Sequence, residues 1–214
     1  MKIVNAGIEF ITHIDGTVIL KRLEECGRVC YKSESCITEN SAPEFVSNIL
    51  KRGHESVLEH CSFTVKFICD RGVSHEIVRH RLASYSQEST RYCNYGKGQF
   101  GKEITVIAPC FLKQDSDGWK FWKEGCEGAE TAYFNMLNYG HSPQEARSVL
   151  PNSLKTEVVM TANIREWRHF LKLRCSSAAH PQMREVSMIL LNEVHSKIPV
   201  LFDDIWEQYN RNEQ

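Results

Sequence analysis

Apolar and polar positions alternate most plainly at Phe63, Val65, Phe67 and Cys69, which are separated by Thr64, Lys66 and Ile68. A period of two sends the first set to one face of a strand. Residues 2–10 and 156–161 predict further strands, and 103–108 a short apolar one. Elsewhere the period lengthens to that of a helix. Ile19, Leu20, Leu23, Cys26 and Cys30 share one face over 17–31. Trp119, Trp122, Cys126, Ala129, Tyr133 and Met136 form a long stripe closed by Gly140, with its tryptophans in a core.

Two stretches, Ser41-Ala42-Pro43-Glu44 and Ser142-Pro143-Gln144-Glu145, have the form of capping boxes with proline in the first turn. The first opens a helix with Val46, Ile49 and Leu50 inward, ended by Gly53. The second opens a helix that stops at Pro151. A helix over 72–82 follows the strand at Phe63, and the segment from Ser84 to Arg91 patterns as neither helix nor strand. Asn163 caps a helix reaching Arg174, and a helix over 184–197 buries Val186, Ile189, Leu190 and Val194. Helices and strands mix without a β-α-β rhythm. The expected fold is therefore α+β: one domain over 1–214, with a central mixed or antiparallel sheet packed by helices.

Composition narrows the function. The chain has 214 residues and a formal net charge of −1. That balance argues against a general nucleic-acid binder, so any anion site must come from local clusters of arginine. No apolar run approaches ~18 residues, so no membrane helix is expected. The start, MKIVNAGIEF, reads as a strand and lacks the apolar block of a signal peptide. A cytoplasmic protein is expected. Its nine cysteines contain no C-x-x-C. They read as reduced thiols, mostly small core residues.

The stretch SHEIVRHR, Ser74 to Arg81, nearly spells a zinc-protease helix. Its histidines, His75 and His80, are five apart instead of four, which turns them about 140° away from each other on a helix. Zinc is not indicated there. His54 and His60 read as capping and core histidines.

Arginines carry the remaining signal. Arg79 and Arg81 flank His80, Arg91 closes a hydroxyl-rich segment, Arg147 interrupts an apolar run, and Arg165 and Arg174 bracket one short helix. An arginine buried among apolar residues needs a carboxylate or an anionic ligand. Structural ion pairs would explain any one of them. The set, beside Ser84, Ser86, Ser89 and Thr90, favours a phosphorylated ligand. Ser89 as a nucleophile needs a general base within reach, and no Ser-His-Asp order or G-x-S-x-G elbow is visible. A non-catalytic nucleotide or nucleic-acid binder, with Tyr85, Tyr92 and Tyr95 for stacking, is the alternative function.

Four segments together resemble the flavin-dependent thymidylate synthases. They are Arg79-His80-Arg81 followed by seven residues and Ser89, RGHESVLEH (52–60), EARSVLP (145–151) and NIREWRHFLKLR (163–174). The resemblance implies reductive methylation of dUMP to dTMP. Methylenetetrahydrofolate is then the carbon donor, reduced FAD the hydride donor and NADPH the reductant. It also implies a homotetramer with shared sites. It assigns FAD to Ser56, Arg79, His80, Arg81, Gln87, Asn163, Ile164, Arg165 and His169. It assigns the nucleotide to Glu76, Ile77, Val78, Arg79, Gln87, Glu88, Ser89, Thr90, Arg91, Arg147 and Arg174. Arg174 is the implied catalytic residue, polarising the uracil. Glu76 and Gln87 look exchanged relative to some relatives, and His169 stands where some have asparagine.

Overall fold

The structure, a computed structural model, describes residues 1–96 and 103–210. The alternating segments form its centre. Strands β2 (Gly7–Phe10), β3 (Ser62–Asp70), β6 (Lys155–Asn163) and β4 (Ala83–Gln87) make an antiparallel sheet in that spatial order. The register pairs Phe63 with Ala162, Val65 with Met160 and Phe67 with Val158. These six are buried on one face, as a strand period of two requires.

Helices α1 (Gly16–Tyr31), α2 (Ala42–Lys51), α6 (Ile164–Arg174), α7 (Pro181–Lys197) and α8 (Pro199–Asn210) supply the rest of this core. Trp167 on α6 is its anchor. Its ring stacks on Phe63 at 4.9 Å and its Nε1–H donates to the Phe63 carbonyl at 3.1 Å. A fully buried indole with its one donor satisfied fixes α6 against the sheet. The opposite face of the sheet is polar. There Glu9, Lys66, Glu157, Lys155 and Glu88 alternate in sign, with Lys155 lying 2.6 Å from Glu157 and 3.3 Å from Glu88.

A smaller unit pairs β1 (Lys2–Val4) in parallel with β5 (Thr105–Ile107) against α4 (Asp117–Asn138). Val106, Cys126, Tyr133 and Leu154 form its own core.

Several expected elements shift. The strand at 2–10 breaks at Asn5-Ala6, because its halves join different sheets. Ser41 adopts helical angles and its hydroxyl donates to Glu24 at 2.8 Å, so the first capping box does not form. The second does form, at the start of α5 (Pro143–Ala146), whose chain then tightens to a 3-10 turn over Arg147–Val149. Trp122 is half-buried against the smaller core, and the half-buried Trp119 packs on Trp122 with ring centroids 4.8 Å apart. Cys61, Cys69, Cys126 and Cys175 are buried, whereas Cys30, Cys36 and Cys110 are exposed. Burial pushes the Cys69 and Cys175 thiols up to about 12, so both stay protonated. Helix α8 was not legible in the pattern.

Candidate active site

Helix α3 (Arg71–Ile77) is capped by Asp70, whose carboxylate accepts from the Val73 amide at 2.7 Å. It ends a turn before the expected boundary at 82. Arg79 and His80 amides bond three residues back, to Glu76 and Ile77, instead of four. Tyr85, from edge strand β4, donates to the His80 carbonyl at 2.6 Å and the Ile77 carbonyl at 3.0 Å. Burial lifts the Tyr85 phenol to about 12, which keeps it a donor. The tightened turn points Arg79 and Arg81 outward and His80 inward. Strand β4 also corrects the expectation of a structureless segment after Ser84. It had read as a loop because its residues are small and hydroxylic.

His80 lies against α6. That helix is capped by Asn163, whose Oδ1 accepts from the Glu166 amide at 2.9 Å. Glu166, Phe170 and Arg174 recur every four residues and share one face. His80 spans that face. Its Nδ1 meets Glu166 at 2.9 Å, its ring lies 4.8 Å from that of Phe170, and its Nε2 accepts from Arg174 Nε at 3.1 Å. Arg174 also donates to Glu76 Oε2 at 2.9 Å and to the Glu76 carbonyl at 3.1 Å. Burial holds the His80 pKa below the usual histidine range. Glu166 opposes this, and Arg174 and His169 add to it.

Clefts surround this network. One of about 670 Å³ is lined by Asn163, Arg165, Glu166, Arg168, His169 and Lys172 together with Glu55, Glu59 and Leu82. Another of about 450 Å³ has Arg71, Thr90, Gln144, Arg147 and Ser148 in its wall and no carboxylate among the lining residues. There Arg147 donates to Thr90 at 3.4 Å, and Arg71 Nη1 is buried without a hydrogen-bond partner among the described residues. A third, of about 730 Å³, holds Gln87 and Glu88 with Lys155 and Tyr95. Glu76 opens onto a fourth of about 210 Å³ beside Asp70 and His180.

The chain matches the family model described as thymidylate synthase complementing protein over residues 14–200. A flavin-dependent thymidylate synthase from Geobacter sulfurreducens is 32% identical over 184 residues, 83% of this chain and 78% of that one. The chain belongs to the flavin-dependent thymidylate synthase family. The family member from Pyrococcus furiosus is 36% identical over 159 residues, which is 74% of this chain but 64% of that protein's length. Among solved structures, the UMP/dUMP methylase PolB from Streptomyces cacaoi, bound with 5-Br dUMP, superposes with a TM-score of 0.76. That match covers 95% of this chain and 96% of PolB at 21% identity, a likeness of fold.

Set against the positions expected for this flavin-dependent synthase family, the structure gathers some residues and separates others. Arg174 is in direct contact with both Glu76 and His80. Asn163, Arg165 and His169 share one cleft, Thr90 and Arg147 another, and Gln87 and Glu88 a third. Gln87 is anchored by donating to Ser74 at 2.9 Å and Thr156 at 3.3 Å. Ser89 Oγ accepts from the Arg91 amide at 3.3 Å, and no side-chain base bonds to it among the described residues. Ser56 is exposed, and Val78 stands on the outer side of the turn. Ile77 and Ile164 are fully buried in the core, which leaves only their main-chain atoms for a ligand.

The arginines expected to be buried among apolar residues lie at the surface instead. Arg79, Arg81, Arg91, Arg147 and Arg165 are all exposed in the protomer. Arg91 packs over Tyr92, and Arg165 is paired with Glu59 at 2.6 Å and Glu55 at 3.7 Å. Among the described residues the buried arginine is Arg168, bidentate to Asp204. His54 and His60 are exposed too, and His54 bonds Tyr31 at 2.5 Å. Glu166 and Arg71 carry no signal of their own in the sequence: Glu166 follows the cap residue Asn163, and Arg71 stands just before the helix expected from 72.

Proposed function

We propose that this chain is a flavin-dependent thymidylate synthase that converts dUMP to dTMP. The observation that carries the reading is the contact between Arg174, His80 and Glu76 in a chain of this family. The guanidinium has five N–H donors. Three are engaged by His80 and Glu76, and the rest are available to a ligand on its partly exposed side. Held against the carbonyl edge of a uracil, it stabilises the negative charge that must build on the ring before C5 attacks a carbon. The C5 proton is then lost and a methyl group takes its place. No enzyme nucleophile is required, in keeping with Ser89, to which no side-chain base bonds among the described residues.

The cleft at the start of α6 suits FAD. Its donors are Arg165, His169, Lys172 and the Asn163 amide, and Arg79 and Arg81 on the nearby turn have no carboxylate partner among the described residues. Such forks match a pyrophosphate. A reduced flavin bound there would supply the hydride, with NADPH as its reductant and methylenetetrahydrofolate as the carbon source. Arg147 and Thr90, in a cleft without carboxylates, suit the nucleotide phosphate. The nucleotide residues of one protomer thus lie around separate clefts. That dispersal supports a homotetramer with sites shared between subunits. Among the described residues no helix is long and apolar enough to cross a membrane. With all nine cysteines free, this supports a cytoplasmic setting.

The test is direct. Protein reconstituted with FAD should show a flavin spectrum and, given dUMP, methylenetetrahydrofolate and NADPH, should form dTMP. A flavin that binds while no dTMP appears would reduce the protein to a nucleotide binder.

A further inference from the structure

Glu166, the buried partner of His80, has no part in the reaction as described above. Both are buried, with relative exposures of 4% and 6%. Their partners leave one consistent placement of protons. Arg174 remains protonated in proteins, so its Nε always presents N–H. Its 3.1 Å bond to His80 Nε2 therefore needs a lone pair on that nitrogen. The imidazole hydrogen then sits on Nδ1, facing the Glu166 carboxylate at 2.9 Å. In the other tautomer two N–H groups would collide between His80 and Arg174, and the carboxylate would lose its donor. Water has little access to relieve either fault.

We propose that Glu166 is a positioning residue for Arg174, acting through His80. Its carboxylate fixes the Nδ1–H tautomer, which makes Nε2 the acceptor that holds the Arg174 fork against Glu76. The consequence for turnover rests on the reading of Arg174 given above. The tautomer does not, since it follows from the hydrogen bonds alone.

The groups facing His80 are few. On α6 they are Glu166, the Phe170 ring, His169 edge-on at 5.6 Å, and Arg174. From α3, Glu76 lies beyond the guanidinium, and from β4 the Tyr85 hydroxyl binds the His80 carbonyl. His80, Glu166 and His169 also place potential metal ligands within 4.8 Å of one another. A metal on Nδ1 would drive the proton to Nε2, against Arg174. The network and a metal at His80 therefore exclude each other.

Neutral His80 is the form that holds Arg174. As pH falls through its depressed pKa, Nε2 gains a proton and the hold is lost, so kcat should decline on the acid side. Removing the Glu166 charge takes away an influence that favours imidazolium. The acid limb of Glu166→Gln should move to lower pH, while the Gln carbonyl still accepts from Nδ1–H. Glu166→Leu removes the acceptor altogether.

The experiment combines nitrogen-15 spectra of histidine-labelled full chain with kcat against pH at saturating dUMP. The wild type and Glu166→Gln should show a neutral His80 protonated on Nδ1. Glu166→Gln should keep kcat within about threefold on the plateau, since a neutral acceptor retains the tautomer. Glu166→Leu should lose about tenfold or more in kcat with a smaller change in KM. Should Glu166→Leu fail to fold, the wild-type spectrum and the Glu166→Gln pH profile still decide. An Nε2–H signature in the wild type, an acid limb unmoved in Glu166→Gln, or stoichiometric zinc in the purified protein would each overturn the proposal. If the wild type forms no dTMP yet shows Nδ1–H, the proposed function fails and the tautomer assignment stands.

Discussion

Two arginines on helix α6 stand six residues apart, Arg168 and Arg174, and face directions about 120° from each other. Arg168 is closed in. Its side chain is 4% exposed and donates to both oxygens of Asp204, at 2.9 and 2.7 Å, and to the Leu201 carbonyl. Arg174 is held but open, with 20% of its side chain exposed and its donors divided between Glu76 and His80. The first joins two helices. The second is braced from one side with its other side free, as a group that meets a ligand must be. Burial alone would have picked the wrong arginine. What separates them is the carboxylate pairing of the fork, bidentate to Asp204 in Arg168, whose Nε is left without a partner among the described residues, and single to Glu76 in Arg174.

The largest effect should fall on the open side. Arg174→Ala should lower kcat for dTMP formation by roughly two to three orders of magnitude, about 3–4 kcal/mol of transition-state stabilisation. Flavin content should be preserved. Arg174→Lys should restore little, because a point charge cannot reproduce the fork. The variants need kcat at saturating dUMP with flavin measured alongside. A normal kcat with weakened binding would make Arg174 a clamp like its neighbour.

The closed side should answer in stability instead. Breaking a buried ion pair from one partner costs about 3–5 kcal/mol. Asp204 is 54% exposed, so water softens the loss, and Asp204→Ala should cost about 2 kcal/mol. For a chain of this size that lowers Tm by roughly 4–8 °C. The kcat per folded molecule should hold. A calorimetric scan paired with an assay reads both, and a collapse of kcat at unchanged Tm would erase the distinction between the two arginines.

A weaker contrast concerns the carboxylate-free cleft. Arg147→Ala should raise the dUMP concentration needed for half-maximal rate about tenfold, the scale of one charge-assisted hydrogen bond at an exposed site. Initial rates over a range of dUMP test this. A fall in kcat with unchanged KM would move Arg147 from ligand holding to chemistry.

These contrasts also mark how far the sequence could be read. The strands β3 and β6 were legible because Phe63 to Cys69 and Thr156 to Thr161 alternate over long runs. Strand β4 was hidden, since Ala83, Tyr85 and Gln87 carry no β-branched signal and the serines between them resemble a loop. The arginine motifs stood out, and the family resemblance singled out Arg174 inside NIREWRHFLKLR. Residue type alone gives Arg168 no structural role, because its partner Asp204 lies 36 residues on. The partnership of His80 with Glu166 spans 86 residues and left no local trace. Chemistry carried by residue type was visible, and chemistry carried by a distant partner was not.

The smallest expected effect concerns Arg165, which lies between the two extremes. It is exposed, as a ligand-seeking arginine should be, and yet it is paired with Glu59 and Glu55. If it meets a flavin phosphate, those carboxylates compete for the same fork. An ion pair between two half-exposed side chains contributes little, because water screens it and both chains lose freedom. Its removal should therefore help the flavin only slightly. Glu59→Gln should tighten FAD binding by about two- to fivefold, through a freed guanidinium and one less negative charge in the cleft. Glu59→Gln combined with Arg165→Ala should lose most of that gain, since only the general effect of charge remains. Titrating apoprotein with FAD at low and at high salt separates the two, because screening weakens the general effect over distances beyond about 10 Å. If Glu59→Gln binds FAD more weakly than the wild type, Glu59 is holding Arg165 in its binding position. Arg165 would then belong with Arg174, braced by a carboxylate for a ligand, and the line between closed and open arginines would have to be drawn by exposure of the fork and not by the presence of an acidic partner.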